Sequence, residues 1–232
     1  MSASKLIYLA RRNPRLSREQ FMRRWRQHAA FSMGLARWSA IQRCAYCDVL
    51  PPSLGIPWAV EGYDGVADIW FRGDATPADP EDRARLSADE IETFSDYVSA
   101  FALHTREVIV KPGGGTVKAT LFVRNTASGG PGGFPARWAR HADRVLSLPR
   151  ADLVRGYTRN TADRTGDWGN AKLPFDGVAE YWFETVEGVS EFFADPQVWE
   201  MYAGGVERYG AGTSNLFVVT NEVVMYDRAL AE

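Results

Sequence analysis

The sequence predicts an α+β fold: two ferredoxin-like (βαββαβ) repeats whose antiparallel sheets pack as a single-chain α+β barrel. Three observations lead there. Residues 21–29 (FMRRWRQHA) recur as residues 134–142 (FPARWARHA), at an offset of 113. Residues 64–71 (DGVADIWF) recur as residues 176–183 (DGVAEYWF), at an offset of 112. A shorter match, Thr105 to Val108 against Thr220 to Val223, follows in the same order at an offset of 115. Ordered matches at a nearly constant offset mark an internal repeat. The expected halves are residues 1–112 and 117–232, joined by PGGGT (Pro112 to Thr116), whose glycines and proline favour a turn.

Each half opens on a run of strand formers, Lys5 to Ala10 and Lys118 to Arg124. In the first half, Ser17 and Gln20 fit a capping box, so a helix is expected from there to about Met33. In the second half, Pro135 suits a first helical turn, and the helix is expected to reach about Leu148. The next strands are Ile41 to Asp48 and Leu153 to Arg159, followed by the two DGVA strands. Second helices are expected over about Asp82 to Ala102 and Val189 to Tyr202, the latter broken at Asp195–Pro196. Closing strands are Arg106 to Lys111 and Leu216 to Tyr226. The order βαββαβ leaves one face of each sheet bare, and stacking two sheets face to face buries both. Such a barrel is expected to enclose a central space, with a further pocket between each sheet and its helices.

Bulk properties narrow the function. The chain has 232 residues, 45% apolar and 24% charged, which is globular composition. A net charge of −2 gives no general attraction to nucleic acid or to an anionic membrane. The first 30 residues carry eight basic residues and one acid. That segment reads as a solvated helix face and loop, since the rest of the chain cancels its charge; attraction of an anionic substrate or partner is the other reading. Two cysteines are no disulfide framework, and no stretch approaches 18 uninterrupted apolar residues. The expectation is a cytoplasmic protein, monomer or homodimer, acting on a small molecule. The twelve Phe, nine Tyr and eight Trp exceed what a core of this size needs, so some are expected to line a cavity.

The pattern strand–RR–P–S, then W–x2–H on the first helix, then DGVAEYWF and an acidic closing strand, resembles the EthD family. The resemblance covers both halves and implies a tandem EthD-like protein of the dimeric α+β barrel superfamily. That wider group includes dehydratases, polyketide cyclases, cofactor-free monooxygenases and isomerases.

Candidate chemistry centres on the histidines. Phe21, Trp25 and His28 share one helix face, as do Phe134, Trp138 and His141. Each repeated histidine reads either as a proton-transfer group or as a packing residue bonded to a neighbouring strand. His104 has no counterpart, and it marks the half that diverged toward catalysis or nothing at all. Tyr46 and Tyr157 are candidate acid–base partners facing a histidine, or core tyrosines. Arg24 and Arg137 lie at the edge of the buried stripe, as carboxylate anchors or as rim ion pairs. Trp25, Trp70, Trp138 and Trp182 are the candidate aromatic wall of a substrate site. The repeated Asp64–Gly65 and Asp176–Gly177 read first as turn chemistry. Glu107 and Glu222 lie in apolar closing strands and are expected at an exposed edge. Cys44 and Cys47 fall on opposite faces of a strand and read as core rather than as a metal site. The glycine-rich SGGPGG segment is a candidate gate.

The leading expectation is a cofactor-independent lyase, dehydratase or cyclase acting on a small aromatic or polyketide-like compound. It needs no metal and no cofactor. The alternatives are a cofactor-free monooxygenase of phenolic substrates, a haem-binding α+β barrel, and a non-catalytic small-molecule-binding accessory protein.

Overall fold

The computed structural model describes residues 3–51, 59–73, 79–124, 130–163, 175–198 and 216–231. Eight antiparallel strands form one closed barrel. In the first repeat they are β1 (Ala3–Ala10), β2 (Ile41–Val49), β3 (Gly65–Phe71) and β4 (Ala102–Lys111). In the second they are β5 (Val117–Val123), β6 (Gly156–Ala162), β7 (Gly177–Phe183) and β8 (Leu216–Asp227). The order around the barrel is β1-β3-β2-β8-β5-β7-β6-β4. Each repeat thus keeps the ferredoxin-like order, and the seams are β2–β8 and β4–β6. Closure removes every exposed sheet edge, the chief aggregation hazard of an antiparallel sheet.

Helices α1 (Arg18–Met33) and α2 (Pro80–Thr93) cover the first sheet; α3 (Gly130–Leu146) and α4 (Val186–Phe193) cover the second. The Ser17 capping box forms as expected: the Gln20 N–H donates to Ser17 Oγ at 3.2 Å, and the Ser17 N–H donates to the Gln20 side chain at 2.7 Å. Among the described residues no helix is long and apolar enough to cross a membrane.

Several boundaries differ from expectation. Helix α2 stops at Thr93, well short of residue 102, because the chain turns to pair with the β1–α1 loop: the Ser95 N–H donates to the Arg11 carbonyl at 2.9 Å. Phe94 is thereby driven into the core at 1% exposure. Pro135 lies inside α3 rather than in its first turn, since the glycine-rich segment before it is already helical. The SGGPGG gate falls largely on side chains outside the described residues. Strand β6 starts three residues late because residues 148–154 are spent in tight turns, with Ala151, Leu153 and Val154 N–H groups bonding carbonyls three residues back or nearer. Helix α4 ends at Phe193, in line with the break expected at Asp195–Pro196, and the expected end at residue 202 lies outside the described residues.

The repeated glycine has a packing reason beyond the turn. A Cβ on Gly65 would lie 2.3 Å from the Trp25 ring, and one on Gly177 would lie 2.9 Å from Phe134 and 3.1 Å from Trp138. The bare glycine lets the helix tryptophan rest directly on the strand, so the RW–x2–H and DGVA motifs are halves of one contact. Gly65→Ala is expected to destabilise the protein by about 1–3 kcal/mol through overpacking, and Gly177→Ala by less because its contacts are looser; urea unfolding of both variants measures the difference.

Three apolar clusters result. One lies under α1 and α2 around Tyr8, Phe21, Trp25, Tyr46 and Phe94. A second lies under α3 and α4 around Trp138, Tyr157, Tyr181, Phe192 and Phe193. The third plugs one end of the barrel interior with Ile7, Leu9, Val66, Phe122 and Val178. The expected central space is therefore filled by side chains among the described residues. Apolar packing occupies one end and charged groups the rest.

Candidate functional site

The described residues offer three places where chemistry could be held: the α1–α2 junction, the barrel interior and a surface cleft.

At the α1–α2 junction, His28 is 4% exposed and sits in the last turns of α1. Its Nδ1 lies 2.6 Å from Asp89 Oδ2 on α2. Arg24, one turn earlier, donates to the other Asp89 oxygen. Burial pushes the Asp89 carboxyl up, but the hydrogen bonds from His28 and Arg24 outweigh it and hold the group below the usual carboxylate range. An ionised Asp89 can only accept, so Nδ1 carries a proton, and in the neutral imidazole the lone pair a general base needs is then the one on Nε2. Phe94 packs edge-on to the imidazole at 5.2 Å. Arg24 thus makes the expected ion pair, and with it orients the carboxylate that orients His28.

His141 differs from its repeat mate. It stacks on Trp138 at 4.9 Å, and burial, with Arg144 nearby, lowers its pKa to about 4. His104 lies against Phe71 at 6.4 Å, and its pKa is also lowered to about 4, by burial. Both imidazoles are neutral across the physiological range. Arg137 is half-buried on α3, its guanidinium lying over Gly133.

The tyrosines do not face histidines as expected. The Tyr46 ring stacks on Trp25 at 4.2 Å, and its hydroxyl bonds Tyr8, which also accepts from Trp25 Nε1 at 3.0 Å. Tyr157 stacks on Tyr181 at 4.4 Å. Nor are the two tyrosines equivalent. Tyr157 pairs with Tyr181 across the sheet, the register position held by Cys44 opposite Ile69, whereas Tyr46 corresponds to Arg159. Burial pushes both hydroxyls up, which suits core tyrosines rather than acids working near neutral pH.

The four tryptophans split between the two faces of the sheet, so they do not form one wall. Trp25 and Trp138 lie under helices, while Trp70 and Trp182 point into the barrel. Glu107 and Glu222 also point inward, correcting the expected edge exposure. Glu107 accepts from Trp70 Nε1 at 2.8 Å, and Glu222 from Trp182 Nε1 at 3.2 Å. Between them lie Lys5, Lys118, Asp68 and Glu180, all fully buried. Lys5 Nζ is 2.5 Å from Glu180 and 3.3 Å from both Asp68 and Glu107. Lys118 Nζ bonds Asp68 and lies 3.2 Å from Glu180 and 3.0 Å from Glu222. Thr158 and Asn160 donate to Glu180 at 3.0 and 2.8 Å. Against burial, the two lysines hold the Glu180 carboxyl well below the usual range. Burial and the neighbouring Glu180 charge raise Asp68 to about 6. The cluster was legible in principle. A lysine stands in each opening strand at an offset of 113, and an acid stands within each apolar DGVA strand at an offset of 112.

Cys47 joins this cluster, with its thiol 3.7 Å from Asp68, whereas Cys44 faces the helices. Potential ligand atoms of Cys47, Asp68 and Glu222 lie within 4.8 Å of one another. The Lys118 ammonium already bonds both carboxylates, so the group is arranged as an ion cluster. Asp64 accepts from the Arg12 backbone N–H at 2.9 Å and from its guanidinium, and so anchors the β1–α1 loop. The cleft, about 860 Å³, opens beside that loop at the N-terminal end of α1. None of the three histidines lines it.

The EthD domain model matches residues 13–97 and again residues 131–207. The chain belongs to the EthD family. Its fold is shared by solved structures of very low identity. A candidate chlorite dismutase is 10% identical, with 97% of this chain and 96% of that chain covered and a TM-score of 0.54. A variant of the chlorite dismutase of Candidatus Nitrospira defluvii is 12% identical, covering 94% and 91%, at 0.51. A candidate monooxygenase of Fusobacterium nucleatum subsp. nucleatum is 6% identical, covering 97% and 94%, at 0.50. These likenesses establish the α+β barrel and leave the reaction of this EthD protein open. No curated protein matches the sequence.

A haem needs an imidazole open to a flat slot. In this EthD chain His28 is tied to Asp89, His104 lies on Phe71 and His141 on Trp138. Stacked rings fill the helix-facing surface of both sheets, so the described residues do not fit the group.

Proposed function

We propose that this EthD protein is a cofactor-independent acid–base enzyme, of lyase, dehydratase or cyclase type, acting on a small aromatic or polyketide-like compound. His28 is its proton-transfer group and Asp89 its positioning residue. The observation that carries the reading is the 2.6 Å contact from His28 Nδ1 to Asp89. A carboxylate-oriented imidazole with a lone pair on Nε2 can take a proton from carbon or oxygen and return it to a leaving group. His104 and His141, lowered to about 4, are poor bases at neutral pH. The working site is then the first repeat.

His28 is 4% exposed, so a substrate reaches Nε2 by displacing side chains around it while the Asp89 contact is kept. The aromatic cluster of Tyr8, Trp25, Tyr46 and Phe94 beneath would form the wall met by a ring-bearing substrate.

Turnover is found by screening small aromatic and polyketide-like compounds by mass spectrometry. His28→Ala is then expected to lower kcat by about 10²–10⁴-fold. Asp89→Asn lowers it by less, and His141→Ala leaves it unchanged. Full turnover by His28→Ala would overturn the assignment. Oxygen uptake during turnover would place the chemistry with the monooxygenases instead. The near-complete closure of His28 favours a second reading, an accessory protein that binds its compound without turnover. Saturable binding with no product after prolonged incubation would support that.

A further inference from the structure

The cleft at the N-terminal end of α1 has a chemistry of its own. Arg11 and Arg18 both line it, and among the described residues neither forms an ion pair. Arg18 reaches only a neutral partner, the Val49 carbonyl. Arg11 lies over the Tyr63 ring at 4.5 Å, a cation–π contact that ties the guanidinium to the cleft wall. The third arginine there, Arg12, is neutralised by Asp64. Of the remaining charges, Glu61 is exposed to solvent at the cleft rim. Between the two uncompensated arginines the wall is apolar, built from Leu16, Val49 and Val60. The cleft therefore presents cationic forks, one of them stacked on Tyr63, and an apolar floor in a volume of about 860 Å³.

We propose that this cleft binds a small carboxylate carried on a flat, apolar body, such as an aromatic acid. A guanidinium matches a carboxylate bidentately, whereas an ammonium would not. The aliphatic floor takes the body of the ligand beside the stacked Arg11–Tyr63 pair and shields the ion pair from water, which strengthens it. The excess of basic residues in the first 30 positions acquires a purpose here, because Arg11 and Arg18 both come from that stretch. The site is distinct from His28. Ten residues of α1 separate Arg18 from His28, a rise of about 15 Å at 1.5 Å per residue. The inference is independent of the proton-transfer reading.

The test is a titration of the full chain with 2-naphthoate and its neutral isostere 2-naphthamide, followed by ligand fluorescence. Naphthoate is expected to bind at least about tenfold more tightly than naphthamide. The preference should shrink as ionic strength rises from about 0.05 to about 0.5 M. Arg11→Gln, at an exposed position, should weaken naphthoate by several-fold with no change in melting temperature. Arg11→Gln with Arg18→Gln should abolish the preference. His28→Ala should leave naphthoate binding unchanged, which separates this site from the acid–base site. Equal affinity for the two probes, unchanged binding by Arg11→Gln, or loss of binding in His28→Ala would each overturn the proposal.

Discussion

Lys118→Met is expected to lower the unfolding free energy by about 3–5 kcal/mol, the usual result of removing one partner from a buried ion cluster. The reason lies in what the lysine leaves behind. Its ammonium contacts Asp68, Glu180 and Glu222, and the first two are fully buried. Without it, Lys5 alone would face Asp68, Glu107 and Glu180. Methionine fills much of the lysine volume, so the loss reports charge rather than a cavity. Urea denaturation measures it, with Arg23→Ala as the reference: Arg23 pairs with Glu19 on an exposed helix face, and its loss should shift stability by less than about 0.5 kcal/mol. Adding Asp68→Asn to Lys118→Met should recover part of the stability, since it removes one stranded charge. A Lys118→Met protein as stable as the parent would show that the cluster is neutral to folding.

Acid should destabilise the fold between pH 6.5 and about 4, and His141 should account for much of it. Its pKa is lowered from 6.5 to about 4, so the unfolded chain takes up a proton before the folded chain does. The stability it contributes is fully present above pH 6.5 and is lost as pH falls toward 4, on the order of 3 kcal/mol over that window. His104, lowered to the same value, acts in the same direction. Asp68 opposes them. Its pKa is raised to about 6 from 3.8, so the folded chain binds that proton first and gains stability as pH falls through 6. His141→Gln should therefore flatten the acid limb of a stability–pH curve, and Asp68→Asn should steepen it. Denaturant melts from pH 7.5 to 4.5 distinguish these outcomes. An unchanged acid limb in His141→Gln would remove that histidine from the account.

The repeat was legible because both halves must solve the same packing problem with the same residues. Phe21 and Trp25 recur as Phe134 and Trp138, and the glycine that admits the tryptophan recurs with them. Helix α1 was readable to the residue at its start because a capping box is a local device, set by residues 17 and 20 alone. The end of α2 was not, since the chain at Thr93 and Ser95 leaves the helix to bond Asn13 and Arg11 on a loop some 80 residues earlier in the chain. That Tyr46 and Tyr157 hold different register positions was not legible for a related reason: a strand register is fixed by its neighbour across the sheet.

By itself the sequence determined the doubled βαββαβ order, the repeated aromatic contact and the three histidines, since these follow from spacing and chemical type. Only the tertiary structure decided that His28 meets Asp89, a carboxylate supplied by another helix 61 residues away. It also decided that Glu107, Glu222, Trp70 and Trp182 face the barrel interior. Strand alternation gives two faces, but which face is inside depends on closing eight strands from both halves into one barrel.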